Sequence, residues 1–217
     1  MAGGNDNRAL TFAVPRGRLA EDLAGLLAEA GLDAGPLLQD TRSLLRGEGD
    51  LRFAVLRNED VPTYVERGAA AFGVVGKDVL REKAPLDIIE YADLGYGACE
   101  LVLAFPRGAS YTPGSFLRVA TKFPNLAREA MGSTGFRHEI ITLRGGCEIA
   151  PAAGLADAVV DLSATGETLR ANNLEKVRVF ERFTARLILN PAAYRLDTRV
   201  RELAERIVAG AKDGGYV

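Results

Sequence analysis

A chain of 217 residues suffices for one large domain or two small lobes, and 47% hydrophobic with 26% charged residues is the mix of an ordinary globular protein. A net charge of -2 gives no sign of nucleic-acid binding at the level of the whole chain, and no apolar run approaches the roughly 20 residues of a membrane span. The opening MAGGNDNRAL is polar and Gly-rich and has no run of signal-peptide length, so a soluble, cytoplasmic protein is expected.

Residues 9–14 read as a short apolar strand and 15–18 as a turn. Leu19, Leu23, Leu26, Leu27 and Ala30 then recur at helical spacing on one face, and Gly31 can end that helix. Residues 51–56 form the next strand. Asn58 or Asp60 can cap a helix that turns Val61, Tyr64 and Val65 inward and stops at Gly68. Residues 70–75 are a third strand, leading through Gly76 into a short helix from Lys77. Strands that alternate with helices need crossovers, so an α/β fold with a largely parallel sheet is expected.

Residues 100–105 and 117–121 are strands, and Pro124 sits where a first helical residue belongs, with Leu126, Ala127, Ala130 and Met131 inward. Residues 139–143 are a strand, and a turn at Gly145 and Gly146 opens a short helix. A strand over 156–161, a helix over 166–172 and strands over 177–183 and 186–189 follow. Asp197 or Thr198 caps a last helix whose buried face is Val200, Leu203, Ala204, Ile207 and Val208, and the tail 214–217 is expected to fray. No Pro- or Ser-rich linker divides the chain. Two lobes would therefore be joined by ordered segments, at 100–105 and 185–190.

Cys99 and Cys147 lack the close spacing of a zinc site and are too few for a disulfide framework, so reduced thiols are expected and no metal ligands are assigned. His138 is the only histidine and lies in an apparent strand, FRHEIITL, which favours a structural over a catalytic role.

The best chemical signal is AVVDLSATGETLRANNL, residues 158–174. An apolar strand ends in Asp161, small and hydroxylic residues follow (Ser163, Ala164, Thr165, Gly166), and a helix starts at Glu167 and Thr168. Unpaired N–H groups at such a start can cradle a phosphate, small residues let it approach, and a carboxylate at the strand end can accept from ribose hydroxyls. The same pattern also suits a plain strand–turn–helix whose Ser and Thr cap the helix. Weaker signals lie in the first quarter of the chain. VPRGRL brings Arg16, Gly17 and Arg18 after a strand, Arg57 follows another, and Gly76, Lys77 and Asp78 a third. Arg suits phosphate oxygens, and Arg42, Arg46 and Arg52 add to the set, although a single Arg is more often a solvated surface residue. No G-x-x-x-x-G-K-[ST] loop and no G-x-G-x-x-G fingerprint is present.

PRGRL, RNEDVPTYVERGAAAFGVVGKDVL, DLGYGACELVLAFP, RVATKFPN, GLADAVVDLSATGETLRANNL and ARLILNPAAY, in this order, resemble the ATP phosphoribosyltransferases of histidine biosynthesis over residues 10–207. The length resembles the short form of that family. The resemblance implies a two-lobed α/β fold of periplasmic-binding-protein type II, with the active site in the cleft between lobes. Residues 1–103 and 190–217 would form lobe I, the ATP and pyrophosphate side, and 104–189 lobe II, with the loop for the 5′-phosphate of PRPP. It implies attack of adenine N1 of ATP on the anomeric carbon of PRPP, releasing pyrophosphate.

The loop over 163–168 is then expected to hold the 5′-phosphate and Asp161 the ribose hydroxyls. Arg16, Gly17, Arg18, Gly76 and Asp78 are expected at ATP, with Arg57 and Arg16 as catalytic groups at the leaving pyrophosphate. Mg²⁺ is expected to arrive with PRPP and ATP, held mainly by phosphates and water. The implied partners are a regulatory subunit related to histidyl-tRNA synthetase and further copies of the chain. Four positions depart from the family pattern: Ala164 stands for a common Ser, Ala71 for a common acidic residue, and Gly146-Cys147 for Ser-Val before Glu148. A small-solute binding protein of the same fold, or a nucleotide sensor without turnover, is the alternative. A base-directed phosphoribosyltransferase is a further one, against which stands the lack of a second acidic residue beside Asp161.

Overall fold

A computed structural model describes residues 9–39, 41–47 and 49–213. Residues 1–8, read above as free of a signal peptide, and the tail 214–217, expected to fray, lie outside the described residues. In chain order the elements are β1 (Leu10–Pro15), α1 (Arg18–Glu29), α2 (Gly35–Leu38), β2 (Leu45–Arg46), β3 (Leu51–Leu56), α3 (Val61–Glu66), β4 (Phe72–Gly76), α4 (Lys77–Lys83), β5 (Ile89–Asp93) and β6 (Cys99–Pro106). There follow β7 (Phe116–Thr121), α5 (Pro124–Gly132), β8 (Arg137–Thr142), β9 (Ala158–Ser163), α6 (Glu167–Ala171), β10 (Leu174–Phe183), β11 (Ala185–Leu189), α7 (Pro191–Leu196) and α8 (Thr198–Asp213).

The chain forms two compact units. The first comprises Met1–Leu80, Ala84–Gly97 and Thr184–Val217, and the second Arg81–Lys83 and Ala98–Phe183. The changes of unit after Gly97 and Phe183 lie ahead of the segments expected to connect lobes. β6 pairs along its length in the second sheet and β11 in the first, so each belongs to a unit rather than joining two.

The first unit's sheet has the order β2-β3-β1-β4-β11-β5. β1 lies parallel between β3 and β4, while β2, β11 and β5 run antiparallel to their neighbours. The largely parallel sheet expected from sequence is thus corrected to a parallel centre with antiparallel flanks. β11 follows β10 after one residue and from another sheet, so no strand–helix–strand crossover sets its direction. On one face Phe12 packs on Phe72 and Phe53, with ring centroids 5.3 and 6.2 Å away, beneath Leu23, Leu26 and Leu27 of α1 and Val200, Ala204 and Ile207 of α8.

On the other face Val61 and Val65 of α3 meet Val75 and Ile188. Their approach is so close that a Cβ on Gly73 would lie 2.8 Å from Val65. Tyr64, expected inward, is exposed: it lies beside the Val61–Val65 stripe of a helix too short to bury a wider face. Neither Asn58 nor Asp60 makes the expected side-chain cap, because the 3₁₀ turn Asn58–Asp60 leads directly into α3. Asp197 does act at the start of α8, where its Oδ1 accepts from the N–H of Arg199 at 2.9 Å.

The second unit's sheet has the order β10-β6-β9-β7-β8 and is also mixed. β7 is parallel to both β8 and β9, and β6 is antiparallel to β9 and β10. Successive side chains of β6 alternate between faces. Leu101, Leu103 and Phe105 pack with Leu117, Val119 and Met131, while Val102 and Ala104 pack with Ala120, Val159, Cys147 and Leu169. Burial on both faces explains why β6 reads as a continuous apolar run.

Candidate active site

Because β7, β8 and β9 are mutually parallel, their carboxyl ends emerge at one edge of the second sheet. That edge brings together three loops: Lys122 after β7, Gly145–Glu148 after β8, and residues 161–168 at the end of β9. All three line a cavity of about 340 Å³. Asp161 and every residue of the 163–168 loop are among its walls, so the segment singled out in sequence forms one site.

The loop is built more from backbone and hydroxyls than from a helix end. α6 has only five residues, and Gly166 before it is left-handed, with φ 76° and ψ 5°. So short a helix adds little dipole. The Thr165 hydroxyl accepts from the N–H of Glu167 at 3.4 Å, so one donor of the expected cradle already has a partner. Ser163 is buried, whereas Ala164, Thr165, Glu167 and Thr168 are exposed.

Asp161 is half-buried, and its Oδ1 accepts from the N–H of Leu162 at 2.8 Å. Burial raises its pKa above the ordinary aspartate value and outweighs the lowering by this hydrogen bond and by the Lys122 charge, while Glu148 raises it further. Burial, and next the charge of Asp161, push the Cys147 thiol up to about 11, so Cys147 is packing rather than nucleophile.

Lys122 was missed in the sequence. The signal for it was its place directly after a strand in RVATKFPN. A buried Thr121 makes the bend, its hydroxyl accepting from the N–H of Phe123 at 2.9 Å. His138 lies in β8, its Nδ1 3.4 Å from the carbonyl of Phe136, and does not line the cavity.

In the first unit the parallel strands β1, β3 and β4 likewise send their carboxyl ends, at Arg16, Arg57 and Gly76, to one edge of the sheet. A cavity of about 580 Å³ there is lined by Arg16 and Gly17 together with Arg42, Arg46, Thr41 and the apolar Leu37, Leu38 and Val55. Arg46 donates to the carbonyls of Leu37, Ser43 and Thr41 at 2.9, 3.0 and 3.2 Å, and so braces the wall. Arg16 and Arg42 keep exposed guanidinium groups at the cavity.

The other expected residues lie elsewhere. Arg18 is exposed and reaches Asp22 at 3.9 Å. Arg57 is exposed at the start of the 3₁₀ turn, off the cavity lining. Asp78 is buried, with its carboxylate folded against Gly76 at the start of α4. Among the described residues no group of three or more His, Cys, Asp or Glu side chains is placed to hold a metal ion.

The model of the ATP phosphoribosyltransferase family HisG matches residues 57–209. The chain belongs to the ATP phosphoribosyltransferase family. An ATP phosphoribosyltransferase of Rubrobacter xylanophilus is 47% identical over 195 residues, covering 87% of this chain and 90% of the relative. That of Sorangium cellulosum is 42% identical over 211 residues, 96% of this chain and 99% of the relative. Among solved structures, the ATP phosphoribosyltransferase HisG:HisZ complex from Thermotoga maritima is similar with a TM-score of 0.78 at 35% identity, over 94% of this chain and 99% of that one. A mutant of the arginine-bound ArgBP from T. maritima is similar with a TM-score of 0.56 at 12% identity, over 94% of this chain and 95% of that one, and bears on the fold alone. The periplasmic-binding-protein-like architecture expected from sequence is therefore that of an ATP phosphoribosyltransferase here. Family members carry out the first step of histidine biosynthesis as glycosyltransferases.

Proposed function

We propose that the second unit's cavity holds PRPP and that the first unit's arginines serve ATP in the family reaction. Adenine N1 attacks the anomeric carbon, the bond to pyrophosphate breaks, and N1-(5-phosphoribosyl)-ATP forms. The observation that carries this function is the meeting of three parallel strand ends at one cavity, where Asp161 stands beside a loop of small and hydroxylic residues.

Each group has a chemical task. The 163–168 loop, whose small residues admit a phosphate to the backbone, takes the 5′-phosphate. Asp161 accepts from the ribose hydroxyls, and the cost of its burial is offset when those donors arrive. Lys122, on the β7 loop of the same cavity, supplies positive charge toward the sugar and its diphosphate. Arg16, Arg18, Gly17, Gly76 and Asp78 serve the ATP side, Asp78 by holding the turn at Gly76. Arg57 and Arg16 stabilise the charge that grows on the departing pyrophosphate. A ring nitrogen is already nucleophilic, so positioning two polyanions supplies the rate and no residue need act as a strong base.

Mg²⁺ fits the donor set. Asp161 and Glu148 bring two carboxylates to the cavity, and an ion that keeps water and phosphate ligands needs no fuller cage. Bound there with PRPP, it would neutralise diphosphate charge. By analogy with the Thermotoga complex, the chain works in the cytoplasm as the catalytic part of a hetero-oligomer with a HisZ-type subunit related to histidyl-tRNA synthetase, and with further copies of itself.

The test is a coupled assay of pyrophosphate release from PRPP with Mg²⁺, with and without the regulatory subunit. ATP-dependent release that adenine and guanine fail to support is the expected result. No release with any acceptor, even with the regulatory subunit present, would leave a two-lobed binding protein as the better description.

A further inference from the structure

Arg170 of α6 has no part in the mechanism above, yet it touches the loop at the Thr165–Gly166 peptide. It lines a second cavity of about 350 Å³, with Arg107 and Lys176, and that cavity shares only Thr165, Gly166 and Leu169 with the one that contains Asp161. The Thr165–Gly166 segment is thus a wall between the two. Nη2 of Arg170 donates to the carbonyl of Thr165 at 3.1 Å. Nη1 lies 3.1 Å from where a Cβ on Gly166 would stand, so the guanidinium runs along this peptide.

A trans peptide is planar and points its N–H opposite to its C=O. With the Thr165 carbonyl turned to Arg170, the N–H of Gly166 is turned away from Arg170, a residue that does not line the Asp161 cavity as Gly166 does. We propose that Arg170 is a positioning residue that locks the Thr165–Gly166 peptide, so that the N–H of Gly166 is presented to the 5′-phosphate. The proposal rests on the reading of that cavity as the PRPP site.

The loop is also held by the N–H of Glu167 on the Thr165 hydroxyl and by the N–H of Arg170 on the Gly166 carbonyl, but neither bond takes the Thr165 carbonyl, which the Arg170 guanidinium holds. A glycine at φ 76° tolerates both orientations of the peptide before it, since it has no Cβ to clash in either. Gly166 also carries no side chain to cap α6, and a helix of five residues is too short to impose order on the loop ahead of it. Flipped, the peptide would aim a carbonyl oxygen at the phosphate and repel it. The charge of Arg170 works in the same sense, since it stands behind the loop and favours an anion in front, attenuated by its exposure to solvent.

Two variants of the full chain test this. Arg170→Met keeps the aliphatic stem and loses the donors, while Arg170→Lys keeps the charge and loses the planar fork. In the wild type, ribose 5-phosphate should shift the Gly166 amide resonance of isotope-labelled protein downfield, as a new hydrogen bond to phosphate does. In Arg170→Met the KM for PRPP should rise about tenfold, the scale of one lost charge-assisted bond, with KM for ATP and Tm unchanged and the Gly166 shift abolished. Arg170→Lys should recover part of the affinity but not the shift. A wild-type KM for PRPP and a wild-type Gly166 shift in Arg170→Met overturn the proposal. So does a uniform loss in every kinetic constant together with Tm, which marks a general structural brace. A wild-type Gly166 amide that ignores ribose 5-phosphate refutes the phosphate site itself, and the lock with it.

Discussion

The second unit makes its cavity from loops at three adjacent strand ends, with a backbone turn at Gly166, the hydroxyls of Ser163 and Thr165, and one half-buried carboxylate. The first unit makes its larger cavity from long side chains, Arg16 and Arg42, on a wall that Arg46 ties to three carbonyls. A backbone loop has one geometry and suits a group of one shape, such as a single phosphate ester on a sugar. Exposed guanidinium groups can follow a chain of phosphates whose charge is spread, at the expense of more side-chain entropy and more screening by salt.

If that contrast is sound, the deepest loss comes from the second unit's carboxylate. Asp161→Asn is expected to lower kcat/KM for PRPP by at least ~100-fold, the loss of charge-assisted bonds worth roughly 1.5–3 kcal/mol each, as steady-state kinetics will show. The same change should raise Tm at neutral pH. Burial holds the folded-state pKa of Asp161 above its unfolded value, so charging it costs stability once pH rises through the folded value. The gain in Tm should therefore shrink as pH falls and vanish below the ordinary aspartate range, which thermal melts across pH would follow.

A smaller loss is expected where a side chain acts on the leaving group. Arg57→Ala should lower kcat by about 10–100-fold with little change in KM for ATP. Loss of ATP affinity at unchanged kcat would move Arg57 to ground-state binding. The smallest effect belongs to Ala164→Ser, which adds a hydroxyl to the loop. With the backbone carrying the phosphate, KM for PRPP should move by no more than ~2–3-fold. A larger gain would show that hydroxyls, rather than peptide N–H groups, do the holding.

The same contrast governs how much could be read from sequence. The second unit's site was legible because its parts are contiguous: strand, carboxylate, small residues and helix follow one another over residues 158–174. Lys122 and Cys147 reach the same cavity only because β8, β7 and β9 lie side by side, which no local pattern reveals. In the first unit the sequence marked Arg16, Arg18 and Arg57 alike, since each follows the end of a strand. Which of them meets Arg42 at a cavity depends on the loop between α2 and β2, elements too short to carry a periodic signal. The parallel sheet was overread for a related reason: alternation of strands and helices constrains direction only where a helix links two strands of one sheet, and β11 enters its sheet from the other unit.

The most direct test of the division of labour is calorimetric titration of PRPP and of ATP, each with Mg²⁺, into the wild type, Asp161→Asn and Arg16→Ala. Asp161→Asn is expected to lose PRPP binding and keep ATP, while Arg16→Ala weakens ATP and keeps PRPP. Wild-type affinity for PRPP in Asp161→Asn, or loss of ATP in its place, would contradict that division.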